Sequence, residues 1–231
     1  MNTFPVREVV FATPRARGIS LDLGDAVFPF NAGQAVMVGL NGSPLRKPYS
    51  IASAPWEVTN TGVMQLLIQI DDSALDPHLE RATPGTRVDV EGPFGTFGLP
   101  AGESSEPLLF VAGGTGIAPL RSMLMERLRR GGTTPISVIY SARSPEEFAF
   151  RPELDALEKA GRITANFTVT RDDGGAWPGR RGRIDHALIE KALPSPGARC
   201  LICGPPALVS DTRELLVALG VTPERILTEQ Y

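Results

Sequence analysis

Short apolar or alternating stretches, separated by turn residues about every ten positions, fill the chain up to about residue 100. Asn41-Gly42 and Pro84-Gly85 supply turn chemistry between them, and the only helix this half predicts is a short one near Asp76–Ala82. This spacing is typical of an antiparallel sandwich or barrel. The predicted strands are Val6–Phe11, Ile19–Leu23, Ala35–Leu40, Val63–Ile70 and Arg87–Glu91.

The pattern changes after a small polar stretch, residues 101–107, which fits a linker. Continuous apolar strands then alternate with helices, which predicts a parallel sheet covered on both faces. We expect domains of residues 1–101 and 102–231. The predicted strands are Leu108–Ala112, Ile136–Tyr140, Ile163–Thr170 and Cys200–Cys203. The predicted helices are Pro119–Arg130, Pro145–Ala160, His186–Ala192 and Pro205–Leu219.

Helix ends carry the expected chemistry in this second half. Ser144 and Glu147 have the spacing of a capping box, with Pro145 at the first helical position. Gly161 and Gly220 stand where helices should stop.

Composition narrows the function classes. The 231 residues are 42% hydrophobic and 21% charged, which supports a real core and argues against disorder. A net charge of -3 argues against nucleic-acid or anionic-membrane binding. No apolar run reaches the roughly 18 to 20 residues of a membrane span. The N-terminus lacks the features of a secretory signal, so we expect a cytoplasmic protein.

A glycine-rich turn follows the first strand of the second half, in the run Leu108–Pro119. The backbone of Gly113 to Gly116 can approach a pyrophosphate closely, and the helix behind it offers N–H groups and a positive dipole end. The turn predicts dinucleotide binding. Gly114 and Gly116 fit the G-x-G-x-x-G pattern, whereas Pro119 takes its third position, so a simple tight turn is the alternative.

A second motif combines cations, an aromatic ring and hydroxyl groups in residues 46–55, RKPYSIASAP. These side chains could pair a phosphate, flank a flat heterocycle and hydrogen-bond its edge. The alternative is an ordinary edge strand with a basic corner.

The two cysteines form a Cys200-x-x-Cys203 motif followed by Gly204 and Pro205. A structural zinc site needs four ligands, and only His78 and His186 could supplement the cysteines, so a metal site is improbable. We interpret Cys200 as a buried thiol. Cys203 ends its strand, where open α/β sheets bind ligands.

Taken together and in order, these motifs resemble the ferredoxin-NADP reductase superfamily over essentially the whole chain. Members carry R-x-Y-S, G-P-x-G, G-G-T-G-[IV]-[AT]-P and C-G-P, which compare with residues 47–50, 92–95, 113–119 and 203–205. The resemblance implies an N-terminal Greek-key antiparallel β-barrel that binds flavin and a C-terminal α/β domain with a parallel sheet that binds NAD(P).

The resemblance also implies roles for individual residues. Tyr49 would pack beside the isoalloxazine, Ser50 would hydrogen-bond near flavin N5, and Lys47 or the preceding Arg46 would face flavin phosphate. Cys203 would lie near the nicotinamide C4.

The remaining implied residues belong to the nucleotide turn, the chain end and the other cofactor contacts. Thr115 and Gly116 would face the nicotinamide pyrophosphate. Glu229 would be catalytic, and Tyr231 would cover the second flavin face, although chain ends usually fray. The further cofactor contacts implied are Pro48, Ile68, Gln69, Ile70, Gly113, Gly114, Pro119, Ser141, Arg143, Thr170, Arg171, Gly204 and Pro205.

Two departures leave the cofactors partly open. Asp76 replaces a serine that family members use to hold the FAD pyrophosphate, so FMN or a diffusible flavin stays an alternative to FAD. Arg143 and Arg171 favour the 2′-phosphate of NADPH, whereas Asp172 or Asp173 would favour NADH. A loop bearing aromatic and basic residues could add phosphate affinity or be a solvated surface, and it contains Trp177, Arg180, Arg181 and Arg183.

The activity implied is an NAD(P)H-dependent flavoprotein reductase that passes electrons to a separate iron–sulfur or haem protein. Hydride transfer requires the two domains to meet near Ser50 and Cys203. Two cysteines cannot hold an on-board plant-type cluster. Two alternatives stay open: a reductase that releases reduced flavin, and a non-catalytic electron-transfer or regulatory subunit.

Overall fold

The computed structural model describes residues 1–70, 79–99, 106–171, 175 and 177–231. The chain divides into two units. Met1–Leu99 and Arg121–Arg129 form the first, and Pro100–Leu120 and Arg130–Tyr231 form the second. The predicted 101–107 linker lies mostly outside the described residues, and the predicted boundary between residues 101 and 102 stays a prediction.

The first unit is an antiparallel barrel. Its sheet has the order β4-β3-β6-β1-β2-β5 with antiparallel pairing throughout. An antiparallel bridge between Ile51 and Leu66, and an N–H from Ala52 that donates to the Gln65 carbonyl at 2.8 Å, join the two edges. The predicted antiparallel β-barrel is confirmed. The strands are β1 (Asn2–Thr13), β2 (Ala16–Asp22), β3 (Ala35–Leu40), β4 (Lys47–Ser50), β5 (Val63–Gln69) and β6 (Arg87–Phe94).

The barrel interior is filled by side chains that alternate along these strands. Val36 and Val38 of β3 and Val88 and Val90 of β6 are fully buried, while the residues between them are more exposed or lie on the other face. This two-residue period is the one that predicted the strands.

A helix that the sequence analysis missed follows β4. This helix, α1, spans Pro55–Thr61, so the expectation that Asp76–Ala82 held the only helix of this half is wrong. Pro55 suits a first helical turn, and the Glu57 carboxylate accepts the Ala54 N–H at 2.7 Å. Seven residues are too few for a helical period to be visible. The predicted Asp76–Ala82 helix lies partly outside the described residues, and its end, Leu79–Arg81, is a 3₁₀ turn.

The second unit is built on a parallel sheet of order β10-β9-β8-β7-β11-β12, as predicted. Every residue of its β7 and β8 strands is buried, which requires cover on both faces. The strands are β7 (Leu108–Gly113), β8 (Ile136–Ala142), β9 (Thr164–Val169), β10 (Arg180–Arg181), β11 (Arg199–Gly204) and β12 (Ile226–Gln230). Its helices are α3 (Arg151–Lys159), α4 (His186–Ala192) and α5 (Pro206–Ala218). Helix α2 (Ile117–Arg130) begins in this unit, and its residues Arg121–Arg129 belong to the first unit.

The predicted helix Pro145–Ala160 is interrupted. A 3₁₀ turn over Pro145–Glu147 is followed by an extended Phe148 and a left-handed Phe150 (φ 57°), and only then by α3. The predicted capping box is wrong, because the Ser144 hydroxyl donates to the Glu146 carboxylate at 2.6 Å instead of capping the turn. Phe148, which lies in the interruption, is buried (4% exposed).

The predicted helix stops are confirmed. Gly161 and Gly220 have φ values of +66° and +86°, in the left-handed region that glycine adopts at low cost. Among the helices of the described ranges, none is long and apolar enough to cross a membrane.

One carboxylate connects three segments at the start of the parallel sheet. Glu106, just before β7, accepts from Arg199 Nε at 3.0 Å and from an Arg225 guanidinium nitrogen at 3.2 Å. Arg225 also donates to the Gly197 carbonyl at 2.7 Å. The hydrogen bond from Arg199 first, and the two positive charges with it, hold the pKa of Glu106 below its usual range.

We expect Glu106→Gln to lower the free energy of unfolding at pH 7 by about 1 kcal/mol, the order of a small surface ion-pair network. A lowered pKa in the folded state stabilises above the unfolded carboxyl value of about 4.3. This contribution is lost as the pH falls through the folded pKa, so the difference from the wild type should shrink at acid pH. Urea unfolding at both pH values measures it, with exposed Glu224→Gln as the control. An equal loss in the control would contradict the account.

Candidate functional site

The glycine-rich turn joins β7 to α2 through a 3₁₀ turn over Gly114–Gly116. A Cβ at Gly116 would lie 2.3 Å from the Cys203 carbonyl oxygen, and one at Gly113 would lie 2.7 Å from the Leu208 side chain. Gly114 has a φ of +53°. The close approach to a backbone atom therefore requires glycine at position 116, and the positive φ favours glycine at position 114. The turn brings the start of α2 against the end of β11.

The Tyr231 hydroxyl lies on this turn and donates to the Gly113 carbonyl at 2.6 Å. Desolvation raises the pKa of this hydroxyl, and the nearby donors of Thr115 and Gly116 oppose that rise. Backbone N–H groups at the start of a helix suit a phosphate oxygen, so the turn fits a dinucleotide pyrophosphate.

Cys203 lies at the end of β11, directly opposite Glu229 of β12. Its thiol donates to the Glu229 carboxylate over 3.8 Å. Burial, the negative charge of Glu229 and this hydrogen bond raise the pKa of Cys203 far above its usual range, so the group is a neutral thiol. The sheet register thus places a thiol and a carboxylate beside the glycine-rich turn.

Cys200 belongs to the hydrophobic core of the second unit and is fully buried. Desolvation raises its pKa to about 12. This placement agrees with the interpretation of Cys200 as a structural thiol. Cys200 and Cys203 point to opposite faces of the sheet because side chains alternate along a strand.

The residues predicted to contact adenosine lie side by side at the ends of β8 and β9. The Thr170 N–H donates to the Ala142 carbonyl at 3.0 Å, and the Arg171 N–H donates to the Arg143 carbonyl at 2.8 Å. Ser141, in β8, is buried. Two arginine side chains therefore start from adjacent points of the same sheet edge. Asp172 and Asp173 lie outside the described residues.

In the loop that contains Trp177, Arg180 and Arg181, these three side chains contact other residues of the fold. Arg180 pairs with Asp185, and Arg181 donates to the Gly175 carbonyl at 2.9 Å. The Trp177 ring packs against Phe148 with a centroid separation of 5.6 Å. These contacts give the loop a structural role.

The predicted flavin residues of the first unit lie on the edge strand β4. Lys47 and Tyr49 share one face of this strand, where the Lys47 ammonium lies 3.9 Å from the buried Glu80 carboxylate. Arg46 instead pairs with Asp89 at 3.6 Å. Burial, with the charge of Glu80 as a smaller cause, raises the pKa of Tyr49 far above its usual range, so the phenol is neutral.

Barrel closure brings β4 to the other predicted flavin strand, β5. The seam at Ile51 and Leu66 sets Ser50 near the last residues of β5, where Ile68 and Gln69 pair with β2. Ile70 continues this pairing through its N–H, which donates to the Arg15 carbonyl at 2.8 Å. The cation of Lys47, the ring of Tyr49 and the hydroxyl of Ser50 therefore lie on a strand that meets the end of β5. These residue types fit a flavin.

Sequence reasoning missed the groups that hold the segment behind Ser50. Arg121 donates to the Ala52 carbonyl at 2.9 Å and to both oxygens of Glu57 at 2.9 and 3.1 Å. The Ser122 hydroxyl donates to the Ser53 carbonyl at 2.8 Å. These partners lie 64 to 69 residues apart, and no local pattern could reveal them. Glu80, the partner of Lys47, was missed for the same reason.

Comparison with known proteins matches both units to domain families. Residues 6–98 match the "Oxidoreductase FAD-binding domain" family, and residues 110–214 match the "Oxidoreductase NAD-binding domain" family.

Individual relatives extend this match. The chain is 36% identical to ferredoxin–NADP reductase B of Sorangium cellulosum, over 95% of this chain and 93% of that protein. It is 30% identical to the ferredoxin–NAD(P)⁺ reductase component of the naphthalene 1,2-dioxygenase/salicylate 5-hydroxylase systems of a Ralstonia species, over 87% of this chain and 60% of that protein. The crystal structure of the Amycolatopsis cytochrome P450 reductase GcoB superimposes with a TM-score of 0.86 at 26% identity, covering 99% of this chain and 68% of that chain.

We expect Gly116→Ala to weaken NADP⁺ binding by about tenfold or more and to destabilise the protein, because overpacking at a close approach costs about 1–3 kcal/mol. Isothermal titration of the flavin-loaded protein measures the first effect and urea unfolding the second. Gly197→Ala is the matched control, because its Cβ would meet its nearest neighbour at 3.6 Å, an ordinary contact. Unchanged NADP⁺ affinity in Gly116→Ala would contradict the assigned site.

Proposed function

Because the chain belongs to the ferredoxin-NADP reductase superfamily, we propose that it is an NAD(P)H-dependent flavoprotein reductase that passes electrons to a separate protein acceptor. The observation that carries this proposal is the close approach of Gly116 to the Cys203 carbonyl, which sets the start of α2 beside Cys203 and Glu229. A pyrophosphate bound there would lie next to a thiol and a carboxylate at the end of the neighbouring strand.

The nucleotide-binding unit would supply binding, orientation and charge. The N–H groups of Thr115 and Gly116 would hold the pyrophosphate at the start of α2. Cys203 would present a small, neutral and polarizable group to the nicotinamide ring. The Glu229 carboxylate, beside that thiol, favours the positive charge that a nicotinamide gains as it loses hydride.

The barrel would hold FAD, which takes up a hydride when bound and releases the two electrons singly. Tyr49 would pack against the ring as a neutral phenol, and Ser50 would hydrogen-bond its edge. Lys47 would face phosphate, with its charge partly offset by Glu80. Both cations are paired, Arg46 with Asp89 and Lys47 with Glu80, and Lys47 is favoured because it shares a strand face with Tyr49. The stretch around Asp76, on which the choice between FAD and FMN depended, lies outside the described residues.

The acceptor would be a ferredoxin or a haem-containing oxygenase component. The two sequence relatives are named as ferredoxin reductases, and the structural relative is named as a cytochrome P450 reductase. Arg143 and Arg171, at adjacent strand ends, favour NADPH through their positive charge. The cytoplasmic location expected from the sequence stays a prediction.

The direct test is the absorbance spectrum of purified, desalted protein before and after anaerobic NADPH or NADH, followed by oxidised ferredoxin. We expect a bound flavin whose bands bleach with nucleotide and return with ferredoxin. Free FAD at the same concentration, mixed with the same nucleotide, is the control. A colourless protein that oxidises nucleotide only when free flavin is added would favour the reductase that releases reduced flavin. A colourless and inert protein would sink the proposal and favour the subunit alternative.

The two cysteines allow a matched pair of variants. We expect Cys203→Ala to slow the reduction of bound flavin by about tenfold, since small displacements of reacting groups have effects of this order or larger. Cys200→Ala removes the same group from the core, three residues earlier on the same strand, and should leave that rate unchanged. Stopped-flow absorbance measures both rates. Equal rates in the two variants would remove Cys203 from the hydride-transfer site.

A further inference from the structure

The glycine-rich turn is held from inside the fold by a side chain that no motif contains. Tyr140 lies on β8, next to β7, and is fully buried. Its hydroxyl donates to the Gly114 carbonyl at 3.0 Å and accepts the Ala149 N–H at 3.2 Å. A buried tyrosine hydroxyl requires a partner, and this one bridges the backbone of Gly114 and that of Ala149.

The bond to Gly114 fixes the orientation of one peptide plane. In a trans peptide the carbonyl of one residue and the N–H of the next point in opposite directions. Because the Gly114 carbonyl points inward to Tyr140, the Thr115 N–H points outward. The Tyr231 hydroxyl lies near that N–H, which opposes the rise in the pKa of Tyr231. The hydrogen bond from Tyr140 to the Gly114 carbonyl therefore orients the Thr115 N–H toward the proposed phosphate position.

Two donors hold the Gly114 carbonyl. The Ile117 N–H of the 3₁₀ turn donates to it, and the Tyr140 hydroxyl adds a second hydrogen bond at 3.0 Å. Glycine lacks the Cβ that restricts backbone rotation. A rotated Gly114–Thr115 peptide would present its carbonyl, an electron-rich oxygen, to the pyrophosphate, and both donors disfavour that rotation.

The Tyr140 ring is itself fixed by aromatic neighbours. It meets Phe148 edge-on at 5.1 Å between centroids and Phe167 at 6.4 Å. Burial raises the pKa of Tyr140 far above its usual range, so the hydroxyl keeps its proton. The bond from the Ala149 N–H also accounts for the interruption before α3, because that N–H points to the tyrosine and not along a helix axis.

We propose that Tyr140 is a positioning residue of the nucleotide site, whose hydroxyl holds the Gly114 carbonyl inward so that the Thr115 N–H faces the pyrophosphate. This inference rests on the proposed function, since it assigns the role toward a bound NAD(P). It places the group that organises the phosphate site on the neighbouring strand, outside the glycine motif.

The test compares Tyr140→Phe, which keeps the ring and removes the hydroxyl, with Phe167→Leu, which disturbs the same aromatic cluster and leaves the hydroxyl bonds. Isothermal titration of flavin-loaded protein gives Kd for NADP⁺ and for ADP-ribose, which keeps the pyrophosphate and lacks nicotinamide. We expect Tyr140→Phe to raise both Kd values by about tenfold. This is the effect expected when the Thr115 N–H no longer donates a hydrogen bond to the charged pyrophosphate. Flavin content and kcat at saturating nucleotide should stay at wild-type values while KM rises. Phe167→Leu should lower Tm and leave both Kd values unchanged.

Other outcomes overturn the inference in distinguishable ways. Unchanged Kd in Tyr140→Phe would show that the hydroxyl does not organise the site, although the proposed function would stand. Equal weakening in both variants, or failure of Tyr140→Phe to fold, would assign the hydroxyl a purely structural role. A wild-type protein that binds neither nucleotide would remove the proposed function, and the inference with it.

Discussion

The proposed nucleotide site depends on how closely the 3₁₀ turn before α2 approaches the end of β11. A Cβ at Gly116 would lie 2.3 Å from the Cys203 carbonyl oxygen, so only glycine permits the observed separation. This approach sets the start of a helix beside the thiol of Cys203, and the β11–β12 register then adds the Glu229 carboxylate. One backbone contact thus positions both the N–H groups proposed to bind phosphate and the polar groups proposed to lie near a nicotinamide.

The proposed flavin site depends on closure of the barrel. Strands β4 and β5 are separated along the chain by α1, and the seam at Ile51 and Leu66 brings their ends together. The segment behind Ser50 is then secured by the Arg121–Glu57 pair, whose carboxylate also receives the Ala54 N–H. A buried, multiply hydrogen-bonded ion pair contributes little net stability on average but fixes geometry well. Its role here is to hold the loop that follows β4, the strand proposed to face the flavin.

Periodicity predicted most strands and helices because most of them have one buried face, and glycine and proline marked the turns. The same reasoning failed where structure is short or set by distant partners. The seven residues of α1 are too few to show a helical period. The break before α3 occurs where the Tyr140 hydroxyl accepts a hydrogen bond from the Ala149 N–H. The glycine turn, the cation beside Tyr49 and the terminal cysteine of β11 were all readable as local motifs. Glu80, Arg121 and Tyr140 were not, since their partners lie far away in the chain and only the folded topology brings them together.

The central claim is that the Gly113–Gly116 turn is the pyrophosphate site and that the Tyr231 hydroxyl now marks the place of a phosphate oxygen. A crystal structure of the flavin-loaded protein with NADP⁺ tests it most directly. The account predicts pyrophosphate oxygens on the N–H groups of Thr115 and Gly116, with the Tyr231 hydroxyl moved away from the Gly113 carbonyl that it now contacts at 2.6 Å. An ordered nucleotide bound elsewhere, with the Tyr231 hydroxyl still on Gly113, would contradict it.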